Sequence, residues 1–201
     1  DINTKEGEST SDNLDKQGVY KKGSKGHDWV LGTEKIMRDV FLILPKFFND
    51  FSKSFPNKKL IIRPHPSEKL DPYYQMIRGL KNIYVVMDGK NTLSWIKASN
   101  SMISTNCTTS VEAFLLNKLS INLFIPNKSY SYEQEFYLPP KVSINTASVD
   151  QTIETLKDFY KTPSLSKKIK ENLDLNSINE HINKALYNYS SEVCSVKEMI
   201  H

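Results

Sequence analysis

The stretch Leu60-Ile61-Ile62-Arg63-Pro64-His65-Pro66-Ser67-Glu68 decides the fold. It opens with a short, wholly apolar run, the pattern of a strand. Pro64 and Pro66 end that strand, because neither can donate to a sheet ladder. A guanidinium and an imidazole are thus delivered where the next helix should begin. A second segment repeats the arrangement: the strand-like run 101–104 leads into Thr105-Asn106-Cys107-Thr108-Thr109-Ser110, followed by the helical run Val111-Glu112-Ala113-Phe114-Leu115-Leu116. In an open α/β sheet both segments bring their polar residues to the carboxyl edge, where ligands bind at a topological switch point.

Outward from these two segments, apolar runs and helical periodicities alternate. Strands are expected at 60–62, 83–87, 101–104 and 120–125, and helices at 73–80, 91–98 and 110–117. Such alternation argues for βαβ units with right-handed crossovers and a mostly parallel sheet, so the fold class is α/β and Rossmann-like. Upstream, Ile36, Val40, Leu44, Phe47 and Phe51 recur at helical spacing from a possible N-cap at Thr33, and Pro45 should kink or interrupt that helix. Residues 1–32, with Gly7, Gly18, Gly23, Gly26 and Gly32 among polar residues, read as a flexible linker or loop, leaving 33–201 as one domain. Downstream of a proline-bearing loop at 130–141, the chain from Val149 reads as helical. Ile153, Leu156 and Phe159 form one stripe, and Ile178, Ile182 and Leu186 another.

Composition excludes several function classes. The formal charge of +4 comes from 24 Lys and 3 Arg against 23 acidic residues, without the clustered basic stripe of a nucleic-acid binder. Mild attraction to an anionic membrane surface is compatible with this surplus. Cys107 and Cys194 stand in dissimilar contexts and suggest neither a disulfide framework nor a zinc site, which suits a reducing cytoplasm. His27, His181 and His201 show no metal-ligand spacing, and no Gly-rich phosphate loop is present. No apolar run reaches the roughly 18 residues of a membrane span. The chain opens at Asp1, which reads as a processed product or a piece of a longer protein.

The residue types at the two strand exits suit an anion. Arg63 can present a bidentate fork and His65 a ring N–H to a phosphate, held stiff by two prolines; the same residues would also serve as a rigid turn capped near Ser67 and Glu68. Asn106, Cys107, Thr108, Thr109 and Ser110 bring hydroxyls and amides to a helix start. That is a setting for a nucleotide phosphate and equally an ordinary N-cap. Glu112, on the first turn, could accept hydrogen bonds from ribose hydroxyls or simply complement the helix dipole. Cys107 reads as a small packing residue, and Trp95 as core or a stacking surface for a base.

In order along the chain, Leu60-Ile-Ile-Arg-Pro-His-Pro-Ser-Glu68, Trp95-Ile96, Asn106-Cys-Thr-Thr109 and Glu112-Ala-Phe-Leu-Leu116 resemble the bacterial surface carbohydrate biosynthesis protein family. That family is similar to the GT-B glycosyltransferases, including capsule Kdo transferases and bacterial sialyltransferases, and to polyglycerolphosphate polymerases. The resemblance spans about residues 33–145 and implies the carboxyl-terminal, nucleotide-binding half of a two-domain GT-B enzyme. It implies Arg63, His65, Asn106, Thr108, Thr109, Ser110 and Glu112 as donor-binding residues, with His65 the best candidate for stabilising the leaving phosphate. It further implies a nucleotide-sugar donor as substrate, such as a CMP-linked acidic sugar, a carbohydrate or lipid-linked acceptor, no metal or cofactor, and action in the cytoplasm or at the inner face of the plasma membrane. A chain of 201 residues holds one such domain, so the amino-terminal GT-B domain becomes a missing partner. A CDP-glycerol-type glycerophosphotransferase or a non-catalytic nucleotide-binding domain would use the same scaffold.

Overall fold

A computed structural model describes residues 18, 21–66, 68–87, 92–123 and 138–162. Helix α1 spans Lys25–Ser54, and its Ser24 N-cap accepts a hydrogen bond from the His27 N–H at 3.3 Å. It begins ahead of the expected boundary at 33. The cap and the burial of His27 and Val30 extend the helix over Gly26 and Gly32, each of which costs about 1 kcal/mol in intrinsic propensity. It also runs on through Pro45. The missing N–H costs about 3 kcal/mol in an isolated helix. Here Phe47, Phe48, Phe51 and Phe55 are buried just beyond it, and Phe41 packs edge-on against Tyr73 just before. Tertiary burial on both sides of the proline outweighs the lost bond.

The chain then alternates as expected: β1 (Leu60–Ile62), α2 (Asp71–Met76), β2 (Ile83–Val85), α3 (Thr92–Ala98), β3 (Ser101–Ser104), α4 (Thr109–Leu115) and β4 (Leu119–Leu123). A fifth strand, β5 (Ile144–Thr146), precedes α5 (Val149–Lys161). Its sequence, Ile-Asn-Thr, is too short and polar to stand out from a loop. Among the described residues all strand pairs are parallel, β1 with β2 and, in the order β3-β4-β5, the remaining three. Strands β1 and β3 match the positions read from sequence, β2 ends at Val85, two residues short of the expected end, and β4 begins one residue early, at Leu119, its expected end at 124–125 lying outside the described residues. The architecture is α/β and Rossmann-like.

Both sheets share one core. Ile83 of β2, Leu119 and Ile121 of β4, Tyr73 of α2, the phenylalanines of α1, and Val149, Ile153, Leu156 and Phe159 of α5 form a single buried cluster. The expected stripe of Ile153, Leu156 and Phe159 is therefore the face that α5 buries. The stripe of Ile178, Ile182 and Leu186 lies outside the described residues. Strand β4 is buried at all five positions, as a central strand covered on both faces must be. No helix among the described residues is long and apolar enough to cross a membrane.

Candidate functional site at the carboxyl ends of β1 and β3

Where β1 ends, Pro64 is buried while His65 and Pro66 are exposed. The turn is closed by Glu68. Its Oε2 accepts the His65 backbone N–H at 2.7 Å and the Tyr73 hydroxyl at 3.1 Å, and its own N–H donates to the His65 carbonyl at 2.9 Å. This reciprocal pairing is the logic of a capping box applied to a loop. Because Tyr73 sits in the core, the loop is anchored to the protein interior. The sequence reading placed Glu68 near a cap; the structure shows that it caps His65, leaving the imidazole at the surface.

Arg63 turns to α3, where its guanidinium lies 5.7 Å from the Trp95 ring centroid and its Nη1 is buried. A cation over an indole face gains about 0.5–1 kcal/mol or more with desolvation. The fork is thereby held, and Trp95, read from sequence as core or base platform, serves as the support for Arg63. Helix α3 packs in turn against α4, which links the β1 exit to the β3 exit.

At the β3 exit the loop is tied to the sheet at three points. Thr105 Oγ1 donates to the Leu123 carbonyl at 3.1 Å. Asn106, in the left-handed region at φ 46°, donates its backbone N–H to Asn122 Oδ1 at 2.8 Å, and its Oδ1 accepts from Asn122 Nδ2 at 3.0 Å. Ser110, fully buried, pairs with Ser104 through their hydroxyls at 2.8 Å. Between these ties Cys107 and Thr108 are exposed and Thr109 is half-buried. Thr108 is the N-cap of α4, yet its side chain makes no capping bond. Its hydroxyl therefore points to no helix N–H.

The seven sequence-derived donor residues divide accordingly. Arg63, His65, Thr108 and Thr109 stand at the strand exits, His65 and Thr108 exposed and Arg63 and Thr109 half-buried, whereas the side chains of Asn106 and Ser110 are engaged within the protein. Glu112 Oε2 is buried and takes no hydrogen bond from any described residue. An acceptor left in that state costs about 1–3 kcal/mol, and a ligand hydroxyl would relieve it.

Sequence reasoning missed Asn122 and Asn145. Asn122 is fully buried in β4 and also donates to Asn145 Oδ1 at 2.9 Å, while Asn145 Nδ2 donates to the Pro140 carbonyl at 2.8 Å. The available signal was an amide in a short, central strand whose other residues are apolar or, at Ser120, small, since a buried polar group requires partners. His27 is buried near the start of α1, where Nδ1 accepts the Gly23 N–H at 3.4 Å. His181, His201 and Cys194 lie outside the described residues. Among the described residues no cluster of three His, Cys, Asp or Glu could hold a metal ion.

A shallow cleft of about 230 Å³ opens elsewhere, between α1 and α5, lined by Asp50, Lys53, Ser54, Asp150, Ile153, Glu154 and Lys157. Its carboxylates are paired: Lys46, outside the lining, bonds both Asp50 and Asp150, and Lys157 bonds Glu154.

Parallel strands flanked by helices, with polar loops at the strands' carboxyl ends, define a Rossmann-like α/β domain. No protein-family model matches this chain, and no curated protein matches it. A solved structure similar to it is UDP-GlcNAc 2-epimerase from Neisseria meningitidis bound to UDP-GlcNAc, at 14% sequence identity and a TM-score of 0.49. The similarity covers 72% of this chain and 40% of that one, so the chain spans less than half the length of the structure it matches.

Proposed function

We propose that this chain is the donor-binding half of a GT-B-type glycosyltransferase of bacterial surface polysaccharide synthesis, acting on a nucleotide-activated sugar, a CMP-linked acidic sugar in the first instance. The observation that carries the reading is the locked exit of β1, where Glu68 fixes the His65 loop and Trp95 supports the Arg63 guanidinium. The resemblance of the ordered motifs to those of surface carbohydrate biosynthesis proteins supports narrowing the ligand from an anion to a sugar nucleotide.

In this reading Arg63 and the His65 ring N–H bind the donor phosphate, the Thr108 and Thr109 hydroxyls complete its hydrogen bonds, and Glu112 Oε2 accepts from the ribose. As the glycosidic bond breaks, the departing nucleotide gains negative charge. Donors held in place beforehand then stabilise the transition state more than the ground state. The acceptor and the general base come from a partner domain.

Calorimetric titration with CMP, CDP, UDP and GDP, repeated with His65→Ala, tests the proposal. Cytidine-selective binding that weakens in the variant supports it, with CDP preference redirecting it toward glycerophosphate transfer. Absence of binding to all four nucleotides overturns it.

A further inference from the structure

We propose that Asn122, inside the sheet, is a positioning residue that sets the ligand-facing loop 105–108; the inference rests on the reading of that loop as part of the nucleotide site. Asn122 is fully buried, and its side-chain amide makes three hydrogen bonds, two to Asn106 and one to Asn145. None of the three supports the β4 backbone, whose ladder an apolar residue would serve equally well. Burying an amide is costly, so its use lies with its partners.

The partners define the role. Ser104, Asn122 and Asn145 are aligned in register across β3, β4 and β5, making a polar row behind the loop. Ser104 holds Ser110, Asn122 holds Asn106, and the Leu123 carbonyl holds Thr105. Asn106 has a positive φ that L-residues seldom adopt, and Asn122 secures it from both its backbone N–H and its side-chain oxygen. The turn that results leaves Cys107 and Thr108 outside. Asn106 therefore acts on a ligand through the shape of its turn, and its carboxamide is committed to Asn122.

Two pairs of measurements on the full chain test this. In Asn122→Ala, exchange of the Asn106 backbone amide, read by NMR, should accelerate at least about tenfold, because that N–H loses its buried acceptor. The Kd for the preferred nucleotide should rise about tenfold while unfolding stays cooperative. Asn106→Gly should bind at least about tenfold more tightly than Asn106→Ala, since glycine adopts the positive φ freely and alanine does not. Unchanged Asn106 exchange in Asn122→Ala overturns the positioning role. Equal loss in the glycine and alanine variants also overturns it, by making the Asn106 side chain itself the ligand contact. If the unmodified chain binds no nucleotide but the exchange effect is present, the nucleotide reading fails and the positioning of the loop stands. Should Asn122→Ala fail to fold, the glycine and alanine pair decides.

Discussion

The Glu68 carboxylate accepts the backbone N–H of His65 at 2.7 Å, closing the turn that follows β1. The same oxygen accepts the Tyr73 hydroxyl at 3.1 Å, so a core tyrosine fixes a surface histidine through one carboxylate. Removing the acceptor should release the loop without touching the core. Glu68→Ala is expected to cost about 1 kcal/mol, the usual value of a lost cap, and to weaken nucleotide binding as well. Tyr73→Phe should cost about as much as one hydrogen bond, 0.5–1.5 kcal/mol. Urea unfolding with unchanged slope checks both; a Glu68→Ala variant with full stability and full affinity would show that the turn holds without its lock.

His65 is exposed and Thr109 half-buried, and neither contributes a side chain to the core. His65→Ala and Thr109→Ala should each weaken nucleotide binding while shifting stability by no more than about 0.5 kcal/mol, the range of surface substitutions. Titration and thermal melting on the same samples separate the outcomes. Unfolding of both variants would assign them a structural role.

The support that Trp95 gives Arg63 predicts an asymmetric response. Arg63→Lys keeps the charge but loses the planar fork and its fit to the indole face, 5.7 Å from the guanidinium. Affinity should therefore fall in Arg63→Lys nearly as far as in Arg63→Ala. Trp95→Leu should also reduce it, by about 0.5–1 kcal/mol from the lost cation–π contact. Full affinity in Arg63→Lys would reduce the residue to a point charge.

Lys46 joins α1 to α5 by bonding Asp150 while also bonding Asp50. Those two carboxylates, Asp150 foremost, raise its ammonium above the ordinary 10.5. A cation whose pKa is raised on folding adds stability that is fully present below the unfolded value and is lost as pH rises through the folded one. The contribution should thus be constant at neutral pH and disappear only in strong alkali. Because the pair is exposed, the effect should be small and should shrink with added salt. Melting of Lys46→Met against the unmodified chain, at low and high salt across pH 7 to 11, reads this directly; a difference that grows with pH would reverse the sign.

Leu156 is fully buried where α5 meets α1 and the sheets. Leu156→Ala should cost about 2–5 kcal/mol, as other buried large-to-small changes do. Denaturant midpoints give the value, and a loss under about 1 kcal/mol would mean that α5 is peripheral to the core.

The alternation of β1 to β4 with their helices was legible in the sequence because short apolar runs and helical periodicities are local patterns that neighbouring residues carry by themselves; that only β4 is buried at every position, with Ile61 of β1 and Tyr84 of β2 exposed, was not. The buried stripe of α5 and the delivery of Arg63 and His65 to the end of β1 follow from the same local rules. What tertiary structure alone decided are matters of long-range pairing. Continuity of α1 through Pro45 depends on burial against distant elements, and β5 exists as a strand because β4 offers it a parallel partner. Asn106 finds Asn122 sixteen positions away, and Arg63 finds Trp95 on another helix. Hydrogen bonds and ring contacts require approach within a few ångströms. Which groups come that close is set by strand register and helix packing, neither of which is written in the residues on either side of a motif.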